Sequence, residues 1–167
     1  MATFEVQVEG LTQISITDES APTQDELTQF LNDGIKDLTN KVTTMKPEEA
    51  FKFSSNTELI DSLGVEVRGK ILSVVRENSS TTDLRPATPI NSGARYLSTD
   101  TESLHYRSKY NPAFYLLNRK LFVLPVPSIT DNNKAYISQI DYKTTSYIED
   151  TISEFPEEYH DLIVTYA

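Results

Sequence analysis

The sequence predicts an α+β fold, with a long N-terminal helix and a C-terminal helix packed together, and with a central antiparallel β-rich region and a long polar loop. Three observations predict it. Apolar residues recur at spacings of three and four between Thr23 and Met45. A second, shorter stretch with that period runs from Tyr159 to Tyr166. Between the two, short runs rich in Val, Ile, Tyr and Phe alternate with turn-forming residues, the pattern of strands.

Residues 1–22 read as an N-terminal arm or strand, or as an ordinary loose terminus. Phe4, Val6 and Val8 share one face of an extended segment, Ile14 and Ile16 make a second pair, and Ser20-Ala-Pro-Thr23 breaks the run. The helix that follows is expected over 23–46. Thr23 and Glu26 have the spacing of a capping box, and Asp25 and Glu26 suit the positive end of the helix dipole. Its apolar stripe is Leu27, Phe30, Leu31, Ile35, Leu38, Val42 and Met45, and Pro47 ends it. Gly34, beside the stripe, costs about 1 kcal/mol relative to alanine inside a helix and suggests close approach of another backbone.

A β-rich region is expected over 58–144. Asp61-Ser-Leu-Gly64 reads as a turn, and Val65 to Arg76 as one strand with a bulge or bend at Gly69. Residues 78–82 read as a polar loop. Loop 84–112 is long enough to be a functional excursion across a surface. The run 114–125 reads as a hairpin turning at Asn118-Arg119, since asparagine tolerates the left-handed conformation of a tight turn. Residues 131–134 read as a turn and 135–144 as a strand, with Tyr136, Ile140 and Tyr142 on one face. A final helix is expected over 155–167, with Tyr159, Leu162, Ile163 and Tyr166 as its apolar stripe and no stop signal after it. The expectation is therefore that this helix continues further or meets another subunit. A single domain is expected from the length of 167 residues.

Composition narrows the chemistry. There is no cysteine, so disulfides and thiolate metal sites are excluded. The formal net charge of −10 argues against a protein that grips nucleic-acid phosphates. No apolar run approaches the roughly 20 residues that span a bilayer, so no membrane partner is expected. The two histidines, His105 and His160, have no converging carboxylates; Glu157 shares a helical face with His160, but that face reads as solvated. No Gly-x-Ser-x-Gly elbow and no glycine-rich phosphate loop occurs. No enzyme activity, cofactor or metal site is expected. The sequence points instead to contact surfaces, because tyrosine and arginine are favoured at interfaces. For 84–112 a simple surface loop is an equal reading. Contact with nucleic acid through basic residues interleaved with aromatics is a third, disfavoured by Asp100, Glu102 and the acidic balance. The candidates are Arg95, Tyr96, His105, Tyr106, Arg107 and Tyr110 in the loop, Asn118 and Arg119 at the hairpin turn, and Tyr166 at the end of the last helix.

Four stretches carry a resemblance. They are Ser20-Ala-Pro-Thr-Gln-Asp-Glu-Leu-Thr-Gln-Phe-Leu-Asn-Asp-Gly34, Leu97-Ser-Thr-Asp-Thr-Glu-Ser-Leu-His-Tyr-Arg-Ser-Lys109, the run 111–125 and the run 155–167. Spread from residue 20 to residue 167, they make the chain similar to structural virion proteins of marine tailed bacteriophages. In that group the last helix usually continues, which implies that this chain is shortened. The layout resembles that of head-to-tail connector or adaptor proteins of the neck, with a β-rich middle that the smallest, mostly helical adaptors lack. The resemblance implies a homo-oligomeric ring of about twelve copies. It also implies a portal protein and other neck or tail proteins as partners, passing DNA without sequence-specific binding, and a place in the virion after assembly in host cytoplasm. A tail terminator, a baseplate or fibre-attachment protein, and a non-viral interaction module are the alternatives.

Overall fold

The structure, a computed structural model, describes residues 2–80, 82–130 and 132–167. The expected turn at 131–134 starts on Asp131 and the expected loop at 78–82 includes Thr81; both residues lie outside the described ones, as does Met1. The fold class is α+β, as the periodicities predict. In chain order the helices are α1 (Phe4–Thr12), α2 (Gln24–Met45), α3 (Arg95–Thr99) and α4 (His160–Tyr166). The strands are β1 (Ser54–Leu59), β2 (Val65–Glu66), β3 (Ile71–Glu77), β4 (Leu84–Pro86), β5 (Thr88–Pro89), β6 (Ala113–Leu117), β7 (Lys120–Leu124) and β8 (Ala135–Ile140). Single 3₁₀ segments occupy Pro47–Phe53, Ser92–Ala94 and Glu157–Tyr159. The chain divides into two compact units: a helical unit of residues 1–53 and 141–167, and a β unit of residues 54–140.

In the helical unit, α2 starts where its sequence says. Thr23 accepts from the Glu26 amide at 3.3 Å and the Glu26 carboxylate accepts from the Thr23 amide at 2.9 Å, so both halves of the capping box are made. Leu27, Leu31 and Ile35 are buried as expected. Phe30 and Met45 are exposed, and Thr39 and Thr43 are buried in their place. Steps of four residues, from 27 to 43, follow the line of neighbours along this face more closely than the hydrophobic scale does. Thr43 hides its hydroxyl by donating to the Thr39 carbonyl at 2.8 Å.

The N-terminal segment is a helix, not an arm or strand. Thr3 caps it, its hydroxyl accepting from the Val6 amide at 3.4 Å. Phe4 and Val8, four apart, are its buried pair, whereas Val6 between them is half exposed. The alternation of three apolar residues reads as a strand, but only Phe4 and Val8 are used, and packing selects the helical period. The Phe4 and Glu5 amides donate to the Glu149 and Tyr147 carbonyls at 2.8 and 3.1 Å. The irregular stretch after 141 is held to α2 by side chains acting as backbone. The Asn32 amide group accepts from the Thr145 N–H at 2.9 Å and donates to the Thr145 carbonyl at 3.0 Å.

The last helix is shorter than the expected 155–167, with a 3₁₀ turn before α4. α4 packs against both α1 and α2. Its buried residues are Ile163 and Val164, while Leu162 and Tyr166 are each 54% exposed, so the inward face is turned from the expected one. Gly34 receives not a backbone but the Tyr166 ring: a Cβ at 34 would lie 2.9 Å from the Tyr166 Cδ1. His160 is not on a solvated face. Its ring lies 6.1 Å from Phe155, stacked, and 6.4 Å from Phe4, edge to face.

The β unit holds two four-stranded sheets, in the orders β1-β8-β3-β4 and β2-β7-β6-β5. All pairs are antiparallel except β5 with β6. The run 65–76 is thus two strands in two sheets rather than one bulged strand. Gly69 lies at the crossing, where a Cβ would come within 2.5 Å of the Ile140 carbonyl oxygen. Leu59, Val74, Ala135 and Ile137 from the first sheet meet Leu121 and Val123 from the second in one core. On β8 the buried residues are Ala135, Ile137, Gln139 and Ile140; Tyr136 lies on the other face and its hydroxyl donates to Glu77 at 2.9 Å.

Two predictions follow from the helical unit. Leu31 is fully buried, so Leu31→Asp should cost more than about 3 kcal/mol by burying an unpaired charge, read as a fall in the urea midpoint. Glu49 accepts from the Tyr159 hydroxyl at 2.7 Å and pairs with Lys46 and Lys52 at 3.1 and 3.2 Å. The Tyr159 hydrogen bond first, then those of the two lysines, hold its carboxyl down from the ordinary 4.5 to about 2. A depressed carboxyl stabilises the fold above its unfolded value and loses that contribution as pH falls toward its folded one. Thermal midpoints should therefore fall between about pH 4.5 and 2 less steeply for Glu49→Gln than for the parent, the two curves converging at the acid end. Parallel curves would show that Glu49 contributes nothing.

Candidate interaction surface

Loop 84–112 is not free chain throughout. β4 pairs with β3, with Arg85 opposite Arg76. β5 pairs with β6, so that Thr88 and Pro89 face Ala113 and Phe114 across a parallel ladder. The β5–β6 ladder brings the ends of residues 90–112 together at the edge of the second sheet, while β4 closes the edge of the first. The intervening excursion therefore projects from a fixed base.

Within it, local hydrogen bonds of small polar residues replace a core. Asn91 caps the 3₁₀ turn through Gly93 at 2.9 Å. The Ser98 hydroxyl donates to the Ala94 carbonyl at 3.0 Å, and the Arg107 amide donates to the Ser98 carbonyl at 2.9 Å. That last bond pins the returning half of the excursion to α3. The Asp100 and Ser103 side chains accept from the amides of Glu102 and His105, at 3.0 and 3.1 Å, making tight turns. The backbone is thus occupied while large side chains point outward. Tyr96 is 68% exposed and Tyr110 74%; Tyr106 is also exposed, and so are Leu97 and Leu104. Exposed apolar and aromatic surface of this density, rimmed by polar groups, marks a contact site.

One cation of the excursion is held against a ring. The Arg95 guanidinium lies 4.5 Å from the Tyr96 ring centroid and donates to its hydroxyl at 2.6 Å. The Arg107 Nε is buried and, among the described residues, has no hydrogen-bond acceptor. Among the described residues Arg95, Arg107 and Lys109 enter no ion pair. Arg85, by contrast, is engaged with Asp83 at 2.9 Å, which with Asn78 holds the Asp83 carboxyl below its ordinary range.

Six of the nine candidate residues, Arg95, Tyr96, His105, Tyr106, Arg107 and Tyr110, therefore belong to this excursion. His105 is exposed there. Asn118 and Arg119 lie elsewhere, at the far end of β6 from the base of the excursion. Both are exposed and both have positive φ, 51° and 61°, as the two central residues of a tight hairpin turn of the mirror-image type I kind. Tyr166 belongs to the helical unit, with its ring against Gly34 and its remainder in solvent. The sequence missed Leu97 and Leu104; the available signal was two leucines inside an otherwise polar loop. It also missed a groove of about 320 Å³ between α1 and α4, lined by Gln7, Leu11, Asp161, Val164 and Thr165. That groove could not be read while the first segment was taken as extended.

Among the described residues no group of three or more His, Asp or Glu side chains is placed to hold a metal, and no helix is long and apolar enough to cross a membrane. No family model and no curated protein matches the sequence.

The hairpin turn carries its own prediction. A left-handed conformation costs a non-glycine residue about 1–2 kcal/mol, partly offset because glycine loses more entropy on folding. Arg119→Gly should thus stabilise the β unit by about 0.5 kcal/mol in urea denaturation. A clear loss of stability would mean that the arginine side chain makes a contact the fold depends on.

Proposed function

We propose that this protein is a structural subunit of a tailed-phage virion, a head-to-tail connector or adaptor that assembles into a ring joining portal to tail. The observation that carries the reading is the excursion 90–112. It spends its backbone hydrogen bonds internally and presents Tyr96, Leu104 and Tyr110 to solvent on a rigid base. Such a surface recognises other proteins: rigid aromatic side chains bury large areas at low entropic cost, and arginine adds directional hydrogen bonds. The similarity of residues 20–34, 97–109, 111–125 and 155–167 to virion proteins of marine tailed phages supplies the particle. The excess of carboxylates suits a wall past which DNA moves without adhering, because like charge repels the phosphate backbone.

Electron microscopy of the virion tests the proposal. Density for this chain is expected in a ring between portal and tail. Density confined to the distal tail would favour the terminator or baseplate alternative, and density only in the capsid shell, or none in the particle, would overturn a neck role.

A further inference from the structure

Charge is divided unevenly along this chain. The helical unit holds 17 of the 25 Asp and Glu residues but five of the 15 Lys and Arg; the β unit holds eight and ten. All five lysines of the helical unit are already paired. Lys36 and Lys41 bind Asp33 and Asp37, Lys46 binds Glu49, Lys52 binds Glu49 and Glu158, and Lys143 binds Asp141 and Glu154. Residues 2–35 contain seven carboxylates and no Lys or Arg, and residues 144–167 contain six and none. These two segments meet where α1 packs on α4. The region they build has no Lys or Arg of its own.

The groove between α1 and α4 lies in that region. Leu11 and Val164 give it an apolar floor, with Leu11 65% exposed, and Asp161 stands at its rim. Glu157, one helical turn before Asp161, is exposed as well. An apolar slot with an acidic rim fits an aromatic or leucine side chain flanked by cations. The excursion of the β unit carries both: Tyr96, Leu104 and Tyr110 are exposed, and Arg95, Arg107 and Lys109, with no ion pair among the described residues, outnumber the exposed carboxylates Asp100 and Glu102 of the same segment.

We propose that the excursion 95–110 of one copy docks into the α1–α4 groove of a second copy. The contact is heterologous, joining two different surfaces, so each added copy presents a fresh excursion and a fresh groove until the rotation closes a ring. Opposite charge sets the register and speeds the encounter, and the aromatic and leucine side chains supply the buried area. This inference rests on the ring reading and gives that ring a polarity.

Two double variants test it. Arg95→Glu with Lys109→Glu reverses the excursion, and Glu157→Lys with Asp161→Lys reverses the groove. None of these four side chains belongs to the buried core, and circular dichroism with thermal melting checks that each variant folds. Light scattering after size exclusion, at low and at high salt, reads association. The parent chain should associate, less so at high salt. Each variant alone should associate about tenfold or more weakly. An equimolar mixture should regain the parent's behaviour, since the reversed excursion then meets the reversed groove. A parent that assembles while both variants assemble equally well would overturn this contact and leave the ring reading standing, as would a mixture that regains nothing. A parent that stays monomeric at every concentration would overturn both. A labelled single-stranded DNA oligonucleotide bound by the parent and released by Arg95→Glu with Lys109→Glu would assign the excursion to nucleic acid and overturn the proposal.

Discussion

Arg76 and Glu77 are neighbours on β3 and both are buried, at 1% and 0% exposure. An unsatisfied charge in that position would cost several kcal/mol, so the surrounding chain must supply partners. It does so from three directions. The Arg76 guanidinium donates to the Pro125 and Glu77 carbonyls, each at 2.9 Å, and to the Asn133 side chain. The Glu77 carboxylate accepts from the Lys134 amide and the Tyr136 hydroxyl, both at 2.9 Å. One residue therefore fixes where the chain leaves β7, and the other fixes where it enters β8. Burial pushes the Arg76 guanidinium below its ordinary value, yet the carbonyls around it demand a donor. The pair thus ties the exit from β7 and the entry to β8 to one point on β3.

What could be read from the sequence was what local chemistry decides. The Thr23–Glu26 box, the turn at Asn118-Arg119 and the end of α2 at Pro47 all depend on neighbours a few residues away. What could not be read depended on partners distant in the chain. Phe4, Val6 and Val8 alternate as a strand does, and the helix, which turns Val6 outward, is held by the carbonyls of Tyr147 and Glu149 and the ring of His160. Gly69 announced a disturbance but not its kind, because the carbonyl of Ile140 that forbids a side chain there is far along the sequence. Thr43 is buried at the helix face because its hydroxyl finds the Thr39 carbonyl one turn back, and a hydrophobic stripe does not count it.

The candidate contact residues divide on the same principle. Residue type alone drew attention to the aromatic and basic residues of 95–110, since tyrosine and arginine are favoured at interfaces. Their common placement on one projection depends on β5 lying parallel to β6, a pairing of two residues that no propensity signals. The separation of charge between units was open to view in the sequence. Its meaning was not, because the pairing of every lysine of the helical unit is a fact of three dimensions. Counting charges gives a net value; only geometry tells which of them remain to meet something else.

Gly34 and Tyr166 lie near opposite ends of the chain and occupy one space. A Cβ at 34 stands inside the contact distance of the Tyr166 ring, so a larger residue there must shift that ring. A smaller residue at 166, conversely, leaves a hollow over the glycine. The two positions form a single steric unit. Substitution at either one alone reports on the seating of the last helix, and the compensated double change should restore it.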